Sequence, residues 1–170
     1  MEALIARADY PAPIRDRAQA LFARSRGRPE HRLNRTEAAC LRRLGVKKAD
    51  LHGVAPSDLS DGGEIPVTRA RQLVGLADFS QLRSVGTEAA KDFWQLGFDC
   101  RDEIKGEHPV ALWLSFSVLA GGYVDPCVED VFRCAIAQVE RPDLPSRYGD
   151  WWSWTPYRGV ERLPDPRLDR

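Results

Sequence analysis

The sequence contains none of the compact motifs that mark common enzymes. It has no Gly-x-Ser-x-Gly nucleophile motif, no Walker phosphate loop and no dinucleotide-binding fingerprint. Its three histidines are scattered, and none belongs to a pair spaced as metal ligands on a helix. Acidic residues are plentiful, but none forms a spaced pair within an apolar strand of the kind that acid–base catalysis would favour. We therefore expect a protein that is not an enzyme and that uses no cofactor.

Cysteine is scarce, and its spacing does not match a metal or redox motif. No Cys-x-x-Cys pair occurs, and Cys127 and Cys134 lie seven residues apart. On a helix this spacing separates them by about 10 Å along the axis, which is too far for a disulfide. A metal or redox site would require Cys40, Cys100 or His108 to converge on them by folding. We favour the interpretation that Cys127 and Cys134 are small core residues, and we expect no metal.

Long apolar runs are also absent. The longest, from Val110 to Gly122, is interrupted by Ser115 and Ser117. It falls short of the roughly 20 apolar residues that a membrane-spanning helix needs, so it predicts a buried core helix. The segment that begins at Met1 lacks the basic-then-apolar pattern of a secretory leader. We expect no membrane association, a cytoplasmic location and reduced thiols.

Neither sign of charge is in excess, but the charges are unevenly distributed. The 170-residue chain has 25 Lys or Arg and 25 Asp or Glu, which gives a formal net charge of zero. Residues 1–50 hold 12 basic and 6 acidic residues, and the remainder holds 13 and 19. A basic N-terminal third is typical of a nucleic-acid-binding arm, although it could equally pair with the protein's own acidic surface. Its densest basic cluster consists of Arg42, Arg43, Lys47 and Lys48.

Apolar periodicity predicts an all-α fold with about seven helices. Asn34 and Glu37 are spaced as a capping box at the start of a helix that ends near Gly45. Pro109 is placed to open a further helix, and Asp125 to cap the helix after it. Two of the predicted helices lie in the N-terminal third of the chain and are rich in basic residues.

Composition also suggests where domains begin and end. Residues 1–55 form a basic helical region, and the polar, glycine-containing stretch that follows is the best candidate for a linker. Residues 67–157 are predicted to form a helical domain with an aromatic tail, Trp151–Trp154. Residues 158–170 contain prolines among charges and are expected to be a flexible end.

The most informative stretch, residues 78–106, predicts a helix-hairpin-helix. A short helix breaks at Ser84-Val85-Gly86, and a second begins at Thr87 or Glu88. Such a turn offers main-chain N–H groups to a phosphate at the start of the second helix. Two features oppose this interpretation: Ser84 stands where many such hairpins carry glycine, and Glu88 places an anion beside the donors. The predicted DNA-binding residues are Arg83, Val85, Gly86, Thr87 and Lys91, together with Arg42, Arg43, Lys47 and Lys48.

A degenerate tandem repeat is also visible. Thr-Glu-Ala-Ala occurs at 36–39 and again at 87–90, and each copy is followed by Leu-Gly, at 44–45 and 96–97. A glycine and a proline follow in both copies. The pattern predicts two similar helical units, although the first lacks the apolar-glycine turn before its helix.

Two further motifs carry a family resemblance. The segment from Asp125 to Cys134 reads Asp-Pro-Cys-Val-Glu-Asp-Val-Phe-Arg-Cys, and Trp151-Trp-Ser-Trp follows it. With the upstream Leu-Arg-Ser-Val-Gly at 82–86, these motifs resemble the bacterial pathogenicity-locus family over roughly residues 77–154. That family consists of small helix-hairpin-helix proteins, some of them labelled mitomycin-resistance proteins. The resemblance implies an all-helical hairpin fold and a DNA-binding role.

Two functions remain as hypotheses. The first is sequence-nonspecific DNA binding, in which the amides of Gly86 and Thr87, with Arg83 and Lys91, contact one phosphate strand. The second is a protein-interaction or scaffold module without nucleic-acid binding, whose Trp151–Trp154 tail meets a partner protein.

Overall fold

The computed structural model describes residues 10–61, 63–159 and 162–163, and these residues are all-α, as predicted. No strand occurs within those ranges. The α-helices are α1 (Ala12–Ala23), α2 (Arg35–Leu44), α3 (Pro56–Ser60), α4 (Val67–Phe79), α5 (Thr87–Gln95), α6 (Pro109–Leu119) and α7 (Cys127–Glu140). Short 3-10 helices span Lys48–Gly53, Arg101–Ile104, Ser146–Gly149 and Trp151–Tyr157. No helix in the described part of the chain is long and apolar enough to cross a membrane.

The chain divides into two compact units, Arg26–Glu103 and the combination of Met1–Ser25 with Ile104–Arg170. These limits differ from the ranges 1–55 and 67–157 drawn from composition. The first reason is that α1 packs on α6, where the Ser115 hydroxyl donates to the Ala18 carbonyl at 2.7 Å. The second is that the polar stretch after residue 55 contains α3, which packs on α4 and buries Leu59. Most of the predicted flexible end, 158–170, lies outside the described residues.

The unit Arg26–Glu103 is built around α4. This helix packs on α3, on α5 and on the 3-10 helix Lys48–Gly53. Phe79 of α4 stacks on Phe93 of α5, with ring centroids 4.7 Å apart. Gly75 makes the close approach possible, because a Cβ there would lie 2.4 Å from the Asp99 carbonyl oxygen. The core of the unit consists of Cys40, Leu41, Leu51, Leu59, Ile65, Ala70 and Leu73.

The other unit contains two ion pairs whose acids, Glu129 and Asp130, are buried on α7. Arg133 is fully buried and lies 2.7 Å from the carboxylate of Glu129. Asp130, also fully buried, accepts hydrogen bonds from Arg158 Nε at 2.9 Å and from the Thr155 hydroxyl at 3.0 Å. Because Thr155 directly follows the aromatic tail Trp151–Trp154 and Arg158 lies three residues further on, these bonds attach the end of the tail to α7.

The aromatic tail lies in a regular element, since Trp151–Tyr157 forms a 3-10 helix. Trp154 is fully buried, and its indole N–H donates to the Tyr148 carbonyl at 2.9 Å. Trp152, by contrast, is 58% exposed. The three tryptophans of the motif therefore do not form one exposed surface.

The two segments that share sequence motifs also share an order of elements. In each, a helix is followed by a glycine with a left-handed backbone, Gly45 at φ 68° and Gly97 at φ 92°. A 3-10 helix follows, and then an α-helix with proline in its first turn. The repeated motifs thus correspond to the same local structure.

Candidate nucleic-acid interface

The turn between α4 and α5, residues 80–86, is fixed by one strained residue and one buried anchor. Ser84 has φ 65°, the one left-handed backbone outside glycine among the described residues. It therefore adopts the conformation that glycine favours in this position, at a cost of about 1–2 kcal/mol. Val85 is only 4% exposed, and its N–H donates to the Leu82 carbonyl at 3.1 Å. The turn has a defined geometry even though the expected glycine is missing.

The first turn of α5 leaves its main-chain donors uncapped. Gly86 is the N-cap, with an extended backbone (φ −76°, ψ 178°) and no side chain that could accept a hydrogen bond. Its carbonyl accepts from the Ala90 N–H at 3.0 Å, which begins the helix. Within the described chain, the N–H groups of residues 86–89 have no acceptor, and Gly86, Thr87 and Glu88 are exposed. Such a helix start is a suitable binding site for an anion.

The acid beside these donors is neutralised by two cations. The Glu88 carboxylate lies 2.7 Å from both Lys91 Nζ and Arg28 Nη2. Hydrogen bonds from Lys91 and then Arg28 lower the pKa of Glu88 to about 2. Arg28 also lies 2.8 Å from Asp92, whose pKa is raised because burial outweighs the Arg28 contact. Two cations and two acids therefore meet beside the start of α5, and their formal charges cancel.

The predicted contribution of Lys91 is weakened by this arrangement. Lys91 is only 9% exposed, and its ammonium group is held by Glu88. Arg83, in the turn itself, is exposed. Sequence reasoning did not identify Arg28, because it lies 60 residues from Glu88 and no local spacing links the two. The sequence marks Arg28 only as one of the basic residues in the N-terminal third.

The second predicted group, around the end of α2, is exposed but only partly available. Arg42, Arg43, Lys47 and Lys48 all lie at the surface. Arg43 is paired with Glu64 at 2.6 Å. For Arg42, Lys47 and Lys48, no ion pair forms with any described residue. Three of the four cations thus retain charge that a ligand can use.

One cavity is lined by a residue from each of the two predicted groups of DNA-binding residues. It has a volume of about 430 Å³ and lies within the unit Arg26–Glu103. Lys48, from the basic cluster, and Thr87, from the start of α5, both line it. Arg43 instead borders a different cavity, together with Arg35 and Glu64. All nine predicted residues belong to the same compact unit.

Other basic residues of the N-terminal third pair with acids of the protein itself. Arg17 Nε donates to Glu107 at 2.8 Å. The Arg26 guanidinium pairs with Asp99 and donates to the Gly97 carbonyl at 3.0 Å. The alternative interpretation of the basic third, pairing with the protein's own acidic surface, is therefore correct for these residues.

The cysteines do not assemble into a site within the described residues. No group of three or more His, Cys, Asp or Glu side chains is placed there to hold a metal ion. Cys134 is a buried core residue, as expected. Cys127, however, is only half-buried, because it occupies the first position of α7.

Comparison with known proteins identifies the family. The profile of the family described as Pathogenicity locus matches residues 72–159, slightly more than half of the chain. The chain belongs to this family. It is also similar to the mitomycin resistance protein McrB of Streptomyces lavendulae, with 33% identity over 82 residues. That alignment covers 48% of this chain and 74% of the relative. No solved structure matches.

The family match covers most of α4, all of α5 to α7 and the tail. It includes the turn at 80–86 and the open start of α5. It does not include α1 to α3, Arg28 or the cluster Arg42, Arg43, Lys47 and Lys48. The cation that neutralises Glu88 from outside α5 is therefore supplied by a segment outside the family match.

Proposed function

We propose that this member of the pathogenicity-locus family is a helix-hairpin-helix protein that binds the phosphate backbone of DNA without reading its sequence. The N–H groups of Gly86 and Thr87 donate to one phosphate in this proposal. Arg83 supplies charge beside them, and Lys48 extends the contact toward the basic cluster.

The observation that carries the proposal is the uncapped start of α5. A helix start that is both exposed and without an internal acceptor has donors that water or an anion must satisfy. The partial positive charge of the helix dipole favours the anion. Phosphate contacts of this kind position a protein on DNA but carry no base information, which is why the proposal excludes sequence readout.

The local charges limit the expected affinity. Because Arg28 and Lys91 are paired with acids, they cancel Glu88 and Asp92 instead of adding a positive field. The chain as a whole has a formal net charge of zero. We therefore propose weak binding at moderate salt, made by a few contacts and not by a broad basic face.

A salt titration with duplex DNA tests the proposal. Each phosphate contact made by a cation should add about 0.9 to the slope of log affinity against log salt concentration. Arg83→Gln should lower that slope by about one unit. Arg71→Gln removes the same charge from an exposed position on α4 outside the proposed site, and should leave the slope unchanged. Binding without salt dependence, or equal slopes for the two variants, contradicts the proposal.

The second candidate function is a protein-interaction module. Its support is the exposed indole of Trp152, on a tail that is otherwise attached to α7. With Trp154 buried, the partner's contact would be limited to Trp152 and its neighbours. Failure of the wild-type protein to bind duplex DNA even at low salt would favour this function.

A further inference from the structure

The cavity of about 430 Å³ in the unit Arg26–Glu103 has an apolar floor. Leu51, Leu73 and Leu76 line it, and each is buried in the unit. Its size falls within the range of about 300–1,000 Å³ that is typical of small-molecule sites. The floor is therefore large enough and apolar enough to hold a flat organic group of modest size.

The rim of the cavity is polar and carries one lysine, Lys48. His31, Lys48, Ser80, Gln81 and Thr87 line it beside Ala49 and Ala77, and no acidic residue is among the described residues that line it. Ser80 and Gln81 are held at the end of α4 by bonds to main-chain carbonyls, at 2.7 and 3.2 Å. Lys48 is exposed and makes no ion pair with a described residue. An occupant with one negative charge is complementary to this rim.

We propose that this cavity binds a single nucleotide, with the heterocycle against the leucine floor and the phosphate beside Lys48. Amide and hydroxyl groups on the rim can bond to the edge of the heterocycle, while the apolar floor contacts its faces. The same chemistry can come from a free nucleoside monophosphate or from an unpaired nucleotide in DNA. The second source rests on the proposed function, and the first does not.

Isothermal titration with deoxyadenosine monophosphate tests the cavity directly. Deoxyadenosine and inorganic phosphate serve as the two partial ligands, and the monophosphate should bind more tightly than either. Lys48→Met should weaken binding of the monophosphate about threefold to fivefold and leave deoxyadenosine unchanged, because only the charge is removed. Lys105→Met, an exposed lysine of the other unit, is the matched control and should have no effect.

Filling the cavity is the second test. Ala77→Phe should abolish binding of the monophosphate, and Ala49→Phe, at an exposed rim position, serves if Ala77→Phe fails to fold. Ala55→Phe, exposed and outside the cavity, should bind normally. No binding of the monophosphate by the wild-type protein at millimolar concentration overturns the inference. Binding that survives both filling variants also overturns it.

Duplexes separate this inference from the proposed function. A duplex with one extrahelical adenosine should bind more tightly than the fully paired duplex, and Ala49→Phe should remove that difference only. If the monophosphate binds but neither duplex does, the cavity is a nucleotide site and the proposed DNA-binding function fails. If both duplexes bind equally and the monophosphate does not bind, the cavity inference fails and the proposed function stands.

Discussion

The first turns of α2 and α5 contain the same four residues, Thr-Glu-Ala-Ala, one position later in α2 than in α5, and they have opposite hydrogen bonding. In α2, Asn34 Oδ1 accepts from the Glu37 N–H at 2.8 Å, and Glu37 Oε2 accepts from the Asn34 N–H at 2.9 Å. In α5, Gly86 stands at the N-cap and no side chain caps the helix. The N-cap residue, Asn34 in α2 and Gly86 in α5, and the place of the motif glutamate, third in α2 but second in α5, decide whether the N–H groups are capped or left for a ligand.

The two glutamates of the shared motif also have different environments. Glu37 is buried, and its carboxylate accepts from Arg69 Nε at 2.8 Å. Glu88 is 67% exposed on its side chain and is paired with Arg28 and Lys91 at the surface. The start of α2 is therefore capped and packed into the fold. The start of α5 is uncapped and lies beside ion pairs at the surface.

Glu37→Ala should produce the largest loss of stability in this comparison. The substitution opens the capping box and leaves the guanidinium of Arg69, 17% exposed, without its carboxylate. A loss of about 2 kcal/mol in the free energy of unfolding is expected for a buried charged hydrogen bond. Chemical denaturation measures it. Glu88→Ala is the matched change in α5 and should leave the denaturation midpoint nearly unchanged; equal losses would contradict the comparison.

Asn34→Ala should have a smaller effect. The substitution removes the side-chain acceptor at the start of α2 but leaves the bond between Glu37 and Arg69 in place. Loss of an N-cap costs about 1 kcal/mol, which thermal or chemical denaturation can resolve. A variant as stable as the wild type would show that the capping box does not close α2 in solution.

Some of this contrast could be predicted from sequence, because it depends on local spacing. The capping box of Asn34 and Glu37, the glycine after α2 and the proline at the start of α6 were all predicted and are all observed. The left-handed backbone of Ser84 was not, since serine adopts it only where the surrounding turn imposes it.

The remaining features depend on contacts between distant parts of the chain. Arg28 reaches Glu88 and Asp92 from 60 and 64 residues away, and α1 packs on α6 from the other end of the chain. No periodicity or spacing encodes such pairs. For this reason the start of α5 could be predicted from the sequence, but its contact with Arg28 could not.

Glu88→Gln should have little effect on stability near neutral pH and a measurable effect on DNA binding. The substitution removes the anion beside the open donors and leaves Arg28 and Lys91 less neutralised, so affinity for duplex DNA should rise about threefold. Fluorescence anisotropy at low salt measures the change. An unchanged affinity would show that this charge cluster does not contribute to DNA binding.

The difference in stability between the wild type and this variant has a defined pH dependence. Because the folded-state pKa of Glu88 is about 2, below its ordinary value of 4.5, its ion pairs stabilise the fold above pH 4.5. That contribution is lost as the pH falls from 4.5 toward 2. Because the ion pairs of the exposed Glu88 contribute little, Glu88→Gln should lose only slightly less stability than the wild type over this range, as measured by denaturation at several pH values.

The most direct test of the account is Gly86→Asn, which gives α5 the cap that α2 already has. Gly86 has an ordinary φ of −76°, and a Cβ there meets no atom within 4 Å, so asparagine fits without strain. Its side chain should accept from the Ala89 N–H, as Asn34 accepts from the Glu37 N–H, which places the carboxamide beside the Gly86 and Thr87 donors and stabilises the helix by a few tenths of a kcal/mol. Affinity for duplex DNA should fall about fivefold or more, while Gly86→Ala, which fits equally well but cannot cap, keeps the wild-type affinity. Equal affinities for the asparagine and alanine variants would contradict the claim that the amides at the start of α5 bind phosphate.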